Sequence, residues 1–353
     1  MDNKIRRSAQ LGGAIAVAVA AAQLAAAQPA DAAAKCIKGD REAPYTIGWA
    51  NIYSIPTWMK QTQGTIEDVF AQLKEQGLTD QLVITDAEGN ANTQITQIQS
   101  MIDADVDGIV VIAGSATALD RVIEQACEKG IAVVNVDSLV TTDQLTAKVN
   151  TDSQAWGRLG AEWLVEQLGG AGKIIVMNGP AGVSVSEDRR AGATPVLEAN
   201  PDIEVLTETN TPYNAAPAQE AMSSLLFQYP EIDGILSYGG ALTAGAILAM
   251  DRQGRDIPPN TGENYRQYLE LWKEKDLKGW ATMQPNWLGG LGVYASVMAL
   301  EGKDVPEFVQ VPLPIITNNN LDDYLARADQ FPADGYIYSE YSLEMFDQLL
   351  FKK

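Results

Sequence analysis

Short apolar runs alternate with amphipathic segments along most of the chain. The runs TIGWAN, QLVITDA, DGIVVIAG and AVVNVDS have the composition of strands that are buried on both faces of a sheet. The segments between them carry apolar residues at helical spacing, and in NTQITQIQSMI one face is formed by Ile95, Ile98, Met101 and Ile102. This alternation predicts βα units, and therefore an α/β fold with parallel sheets.

A second series of the same kind follows the first. It contains the strands KIIVMNG, IEVLTETN and DGILSYGG, and helices are predicted near 154–167, 186–199, 215–228 and 242–252. Three positions recur at nearly the same spacing: Asn51 as Asn178, Asp107 as Asp233, and Asp137 as Asn264. We therefore predict two similar doubly wound parallel-sheet lobes. The second lobe should have a short or irregular strand at DIPPNTGEN, because proline disrupts strand pairing.

The loops that follow the strands are the predicted ligand site. In an open α/β sheet, ligands bind beyond the carboxyl ends of the strands, and two facing lobes would bring these ends into one cleft. The candidate ligand-binding residues are the polar and aromatic residues at those ends. They are Tyr53, Ser54, Trp58, Asp86, Ser115, Asp137 and Ser138 in the first lobe, and Glu187, Arg189, Tyr213, Asn264 and Gln284 in the second.

These side chains suit a neutral ligand with many hydroxyl groups. Aromatic rings stack on the C–H face of such a molecule, while carboxylates, amides and guanidinium groups hydrogen-bond its hydroxyls. Trp58 is the expected stacking platform and Asp137 a charged acceptor. The alternatives are that Trp58 is a core residue, that Asp137 caps a turn, and that EDRRAG is a solvated helix face.

Charge and composition exclude several other functions. The 353-residue chain has a formal net charge of −21, which argues against nucleic acid and anionic membrane surfaces as partners. It contains no histidine, so Ser-His-Asp and Cys-His catalysis and His-ligated zinc are excluded. GGAGKII and NGPAGVS lack the spacing of nucleotide-binding loops. No catalytic residue, metal or cofactor is predicted.

The first residues have the pattern of an export signal. Lys4, Arg6 and Arg7 precede an Ala-rich apolar run, and small residues follow this run before Lys35. We predict a signal peptide over residues 1–34 and a periplasmic location for the remainder. A single-pass anchor is the alternative, and the route of export stays open.

The two cysteines are expected to form a disulfide in an exported chain. Cys36 lies just before the first strand, and Cys127 ends the helix DRVIEQACEKG, which should terminate at the same edge of the sheet. A reactive thiol is the alternative.

Several segments together resemble a known family. They are SIPTWM, NTQITQIQSMIDADVDGIVVI, GIAVVNVDS, NTD, IDGILSYGG and GWATMQPN. On these segments the chain resembles the type I periplasmic solute-binding proteins of ABC importers, in the ribose-like sugar-binding group. The resemblance implies a hinge of three crossings, with an N-terminal lobe of residues 35–149 plus 285–315 and a C-terminal lobe of residues 150–284 plus 316–353. The tail is expected to wrap the second lobe.

The resemblance also assigns roles to individual residues. Trp58 matches a stacking aromatic, Asp137 matches the acid after the fourth strand, and Gln284 matches a hinge glutamine. The chain departs from the family pattern at other positions, and these departures point away from ribose itself. Thr57 stands where a second ring is common, Ser138 and Glu187 where arginines are common, Gly239 for asparagine, and Asn264 for aspartate.

The expected function is a monomeric, non-enzymatic binding protein that delivers a monosaccharide or polyol to an ABC permease. A periplasmic receptor for a sensor kinase or chemoreceptor is the first alternative, because both would use the same ligand-closed form. A carbohydrate-active enzyme with Asp137 and Glu187 as a carboxylate pair is the second.

Overall fold

The computed structural model describes residues 36–37, 41–53 and 57–352. The predicted signal peptide over residues 1–34 and the candidate ligand residue Ser54 lie outside the described residues. No helix in the described part of the chain is both long enough and apolar enough to cross a membrane.

Strands and helices alternate as the sequence pattern predicts. The strands are β1 Tyr45–Asn51, β2 Thr79–Asp86, β3 Gly108–Val111, β4 Ala132–Val136, β5 Ala147–Thr151, β6 Gly172–Asn178, β7 Ile203–Asn210, β8 Gly234–Ser237, β9 Asn260–Glu263, β10 Gly279–Thr282, β11 Phe308–Val311 and β12 Ile316–Thr317. The helices are α1 Thr57–Glu75, α2 Ala91–Asp103, α3 Asp120–Glu128, α4 Ser153–Gln167, α5 Ser184–Glu198, α6 Ala215–Gln228, α7 Gly240–Arg252, α8 Arg266–Glu274, α9 Leu288–Leu300, α10 Leu321–Leu325 and α11 Leu343–Phe351.

The strands form two six-stranded sheets. Sheet A has the order β11-β5-β4-β3-β1-β2, and sheet B has the order β12-β10-β9-β8-β6-β7. Neighbouring strands pair in parallel except β10 and β12, which are antiparallel. The prediction of two parallel-sheet α/β lobes is confirmed.

Local sequence explains where these elements begin. The side chain of Asn90 caps α2 by accepting the backbone N–H groups of Asn92 at 2.9 Å and Thr93 at 3.2 Å. Strand β9 has only 4 residues and pairs with β8 only through Ile235 and Asn260. Two prolines precede β9 directly and cannot donate a backbone hydrogen bond, so the prediction of a short strand here is confirmed.

The chain passes between the two sheets three times. It leaves sheet A after β5, returns from β10 through α9 to β11, and leaves again to β12. Helix α9 packs on α1 and on the strands of sheet A, as expected for a segment that returns to the first lobe. The three crossings are confirmed, whereas the lobe limits 35–149 plus 285–315 and 150–284 plus 316–353 stay a prediction.

The C-terminal tail contacts both lobes and does not wrap the second lobe alone. Strand β12 pairs with β10 in sheet B, and Lys273 of α8 forms an ion pair with Asp322 of α10 at 2.8 Å. Helix α11 instead packs on α9, where the Phe346 ring lies 5.8 Å from the ring of Trp287. All residues of α9 are buried, so its outer face needs the apolar cover that α11 supplies.

A disulfide joins the start of the described chain to α3. Cys36 and Cys127 form an S–S bond of 2.07 Å, which confirms the predicted pair. Nearby, Arg41 donates to Asp107 Oδ1 at 2.7 Å, to Asp105 Oδ1 at 2.8 Å, and to the Gly130 carbonyl at 3.1 Å. These contacts fasten the segment before β1 to the edge of sheet A where β3 and β4 begin.

Candidate functional site

The side chain of Gln284 joins the carboxyl ends of the two sheets. Gln284 follows β10, and its Nε2 donates to Asp137 Oδ1 at 2.8 Å and also to Asn150 Oδ1. Its Oε1 accepts from the hydroxyl of Thr151, and its backbone carbonyl accepts from the indole nitrogen of Trp58 at 3.0 Å. The ends of β4 and β5 in sheet A therefore meet the end of β10 in sheet B, as the strand-end prediction requires.

Asp137 sits directly after β4 in a left-handed turn. Its φ of 60° is a conformation that aspartate tolerates better than most residues, and Asn150 Nδ2 holds the turn by donating to the Asp137 carbonyl at 2.7 Å. Burial raises the pKa of the Asp137 carboxyl, whereas the Arg189 charge and hydrogen bonds from Gln284 and Ser138 lower it. Asp137 is thus a buried acceptor surrounded by donors.

Arg189 of α5 is held against an indole. Its guanidinium carbon lies 3.5 Å from the centroid of the Trp156 ring, and its Nη1 donates to the Tyr238 carbonyl at 2.5 Å. Its Nη2 is 4.0 Å from Glu263 Oε1, and its buried Nε has no hydrogen-bond partner. Gly157 permits this approach of α4 and α5, because a Cβ there would lie 1.7 Å from the Arg189 backbone oxygen. Arg189 is therefore rigid and keeps one unpaired donor.

Glu263 is a member of this cluster that sequence reasoning missed. It ends β9, is 4 % exposed, and accepts the backbone N–H groups of Gly240 and Gln284. Burial raises the pKa of Glu263 to about 7, the Asp137 charge adds to this rise, and Arg189 opposes it. The internal repeat points to its neighbour Asn264, whereas Glu263 falls within the strand pattern.

The ring of Tyr213 fills the space beside Gly239. A Cβ at Gly239 would lie 2.8 Å from the ring, and one at Gly179 would lie 2.2 Å from Tyr213 Cζ. The Tyr213 hydroxyl is 3.0 Å from Ser186 Oγ, and Arg189 lies 5.9 Å from the ring. The glycine at position 239 therefore makes room for the Tyr213 ring.

The two aromatic candidates of the first lobe lie near this cluster. Trp58 is in the first turn of α1, is 9 % exposed, and donates to the Gln284 carbonyl. Tyr53 is half-buried, and burial together with the charges of Asp137 and Tyr213 raises its pKa to about 12. Both rings thus lie near the crossing that follows β10, where Gln284 binds Asp137. Their stacking on a ligand stays a prediction.

Two further candidates of the first lobe shape their own turns. Asp86 Oδ1 accepts the backbone N–H of Glu88 at 2.8 Å, and Ser115 Oγ accepts that of Ala118 at 3.2 Å. Ser138 donates its hydroxyl to Asp137 Oδ2 at 3.1 Å. Direct ligand contact by these three residues stays a prediction.

The remaining candidates of the second lobe are engaged in local bonds. Glu187 is exposed, and its Oε1 accepts the backbone N–H of Gly182 at 2.9 Å. Asn264 is fully buried, and its Nδ2 donates to the Ile337 carbonyl of the tail at 2.9 Å. The structure thus brings Asp137, Arg189 and Gln284 together, while Glu187 and Asn264 have other immediate partners.

The rims of the two lobes touch directly. The backbone N–H of Leu139, in the loop after β4, donates to Ser184 Oγ at the start of α5 at 2.8 Å. This bond and those of Gln284 close the lobes over a buried polar cluster. The cluster offers carboxylates, a guanidinium, a phenol and an amide, which can donate to and accept from hydroxyl groups. The described residues contain no group of three or more acidic, cysteine or histidine side chains that could hold a metal ion.

The chain is similar in sequence and in fold to known binding proteins. The chain is 28% identical over 244 residues to a xylitol-binding protein of Mycolicibacterium smegmatis, covering 69% of this chain and 70% of that protein. It is 23% identical over 246 residues to a ribose import binding protein of Bacillus subtilis, covering 70% and 79%. An ABC transporter solute binding protein from Bacillus halodurans with bound myo-inositol superposes with a TM-score of 0.74 at 24% identity, covering 82% of this chain and 99% of that chain.

A family match covers most of the chain. Residues 47–304 match the periplasmic binding protein domain. This range includes the strands of both sheets up to β10 and every candidate ligand residue, and it ends before β11 and the tail. The sequence match, the two parallel sheets and the three crossings agree, so the chain belongs to the family of the periplasmic binding protein domain.

Proposed function

We propose that the chain is the substrate-binding protein of an ABC importer, which closes around a small neutral polyhydroxylated ligand and delivers it to the permease. The observation that carries this proposal is the buried polar cluster at the converging sheet ends. There, Gln284, which follows β10, binds Asp137 after β4 and Asn150 at the end of β5. Arg189 and Glu263 face each other at 4.0 Å. Closure of two lobes over such a cluster can be coupled to ligand binding.

The balance of charge in the cluster favours a neutral ligand. Arg189 is 4.0 Å from Glu263, and its charge also acts on Asp137, so acidic groups compensate the arginine. A cluster of this kind can hydrogen-bond hydroxyl groups without needing a charged partner. The xylitol-binding and ribose-binding relatives and the myo-inositol complex support the same ligand class.

Binding without turnover is supported by the positions of the two acids that an enzyme would need. Asp137 is buried in the cluster, whereas Glu187 is exposed and bonded to the Gly182 backbone. The family that the chain matches consists of binding domains. Export to the periplasm and a monomeric state are part of the proposal, and the disulfide fits an oxidising compartment.

A titration tests this function. We expect one member of a panel of xylitol, myo-inositol, D-ribose, D-allose and D-arabinose to bind with 1:1 stoichiometry in calorimetry and to be recovered unchanged. Asp137→Ala should weaken that binding by about 10- to 100-fold, because it removes a charged acceptor and leaves its donors unpaired.

Asp143→Ala is the matched control, since it removes an exposed aspartate in the same lobe, whose carboxylate is paired with Lys148 at 2.7 Å. Its affinity should equal that of the wild type. A panel without a single binder, or an Asp137→Ala variant with unchanged affinity, would contradict the proposal.

A further inference from the structure

A tail segment outside the matched family range lies between the two lobes. Residues 332–341, here called the strap, run from the first residues after the 3-10 turn at Ala328–Gln330 to the residue before the cap of α11. The family match ends at residue 304, before the strap begins. The strap is hydrogen-bonded to α1 of the first lobe and to residues just after β9 of the second.

The strap is fastened to the first lobe by α1. The side chain of Gln61 binds both backbone groups of Tyr336: its Oε1 accepts the N–H at 2.8 Å, and its Nε2 donates to the carbonyl at 3.0 Å. Thr57 donates its hydroxyl to Asp334 Oδ2 at 2.7 Å. Both α1 residues lie in the first turns of the helix, next to Trp58, so this end of α1 holds the strap beside the crossing.

The strap is fastened to the second lobe just beyond β9. Tyr336 forms an antiparallel bridge with Tyr265, and the backbone N–H of Ile337 donates to the Asn264 carbonyl at 2.9 Å. Arg266 N–H donates to the Gly335 carbonyl at 2.8 Å. The buried Asn264 side chain adds a bond to the Ile337 carbonyl. Tyr336 is therefore placed next to the strand end that carries Glu263.

The Tyr336 side chain is buried next to the strand end that carries Glu263. It is 3 % exposed, and its ring centroid is 5.2 Å from that of Tyr265. Burial raises the pKa of Tyr336 well above its ordinary value, the charges of Glu263 and Tyr213 add to the rise, and Arg189 opposes it. The same Glu263 and Arg189 form the centre of the ligand site, so the phenol lies within electrostatic reach of it.

We propose that Tyr336 is a ligand-contacting residue, that Gln61 positions it, and that the strap forms a wall of the ligand site. The inference rests on the proposed function and deepens it. An aromatic ring with a hydroxyl can stack on a C–H face and bond a hydroxyl group of the same ligand.

Binding of xylitol and myo-inositol to three variants tests the inference. Tyr336→Phe keeps the ring and should weaken the better-bound probe about threefold to tenfold, the effect of one hydrogen bond. Tyr336→Ala should weaken it at least tenfold. Tyr341→Phe is the control, because this strap tyrosine donates to Asp68 Oδ2 at 2.8 Å on the exposed side of α1, and its affinity should not change.

Gln61→Ala separates positioning from simple loss of structure. In hydrogen exchange of the ligand-free chain, the Tyr336 and Ile337 amides should be protected in the wild type and should exchange at least tenfold faster in this variant. The melting temperature should stay close to the wild-type value. Unchanged exchange in Gln61→Ala would remove its assigned role.

The outcomes distinguish the inference from the proposed function. If the wild type binds a probe and both Tyr336 variants bind it equally well, the strap wall is overturned while the proposed function stands. If the amides of a binding-competent chain exchange as fast as an unfolded segment, the inference alone again fails. A chain that binds neither probe nor any member of the wider panel contradicts the proposed function, and the inference with it.

Discussion

Glu263 gives a chain without histidine a group that titrates near neutral pH. Its carboxyl is buried beside Asp137 and Arg189, and its pKa is raised to about 7. The other titratable group that faces it from the tail is Tyr336. Removal from water stabilises the protonated form more than the two backbone donors stabilise the charged one. The Glu263 carboxyl is therefore protonated more easily than that of an exposed glutamate.

This pKa predicts how stability depends on pH. The folded value of about 7 lies above the ordinary value of 4.5, so folding favours the protonated form. This stabilisation is fully present below the ordinary pKa of 4.5, and it is lost as the pH rises through the folded pKa of about 7. Relative to Glu263→Gln, the wild-type free energy of unfolding should fall on the order of 3 kcal/mol across this window.

Urea unfolding at a series of pH values measures this difference. Glu198→Gln, at an exposed glutamate of α5, is the control and should follow the wild type at every pH. A wild-type minus Glu263→Gln difference that is constant with pH would contradict the raised pKa.

At the residue scale, strand ends were the part of the site that sequence could predict. Asp137 and Gln284 follow strands directly, and the structure joins their side chains at 2.8 Å. Glu263 is the last residue of β9 and Trp156 lies in α4, so in the sequence each looks like part of its element. Tyr336 lies in a segment without periodicity, so only the tertiary contacts with α1 and β9 reveal its position.

Among the elements, the disulfide has a consequence that can be measured. It links residues 91 apart in sequence and ties the segment before β1 to α3. Replacing both Cys36 and Cys127 by serine should lower the free energy of unfolding by up to about 4 kcal/mol, because the unfolded chain gains freedom when the loop is opened. The bond lies at the opposite edge of sheet A from the cluster, so ligand affinity should be retained.

Urea unfolding and calorimetry of the double variant test this pair of expectations. The reduced wild-type chain serves as a second route to the same state and should unfold at the same urea concentration as the variant. An unchanged midpoint would show that the disulfide adds no stability.

Most elements could be predicted because their patterns are local. The apolar runs define the strands, and the prolines before β9 correctly indicate a short one. The tail could not be placed in this way. The apolar face of α11 requires burial, but sequence does not say which lobe provides the surface, and the buried helix α9 proved to be the partner.

For the whole molecule, the contact between the rims predicts a control of lobe closure. Leu139 and Ser184 connect the lobes through one hydrogen bond of 2.8 Å. Ser184→Ala removes this bond and should shift the ligand-free chain toward open forms. Ligand affinity should then fall about threefold to tenfold, because part of the binding free energy is used to close the lobes.

Small-angle X-ray scattering of the ligand-free chain should show a larger radius of gyration for Ser184→Ala than for the wild type. Ser223→Ala is the control, since the Ser223 hydroxyl bonds only within α6, to the Gln219 carbonyl at 2.7 Å. Identical scattering of all three chains would show that the rim bond does not influence closure.

Cys36 and Arg41 are anchored at the edge of sheet A where β3 and β4 begin. This anchoring fixes where an attachment at that end of the chain would lie relative to the ligand cluster. The ligand cluster is at the other end of the same strands. A tether joined ahead of Cys36 would therefore attach at the end of sheet A that is opposite the ligand cluster. Immobilised in this orientation on an electrode or bead, every copy could capture solute without obstruction from the support.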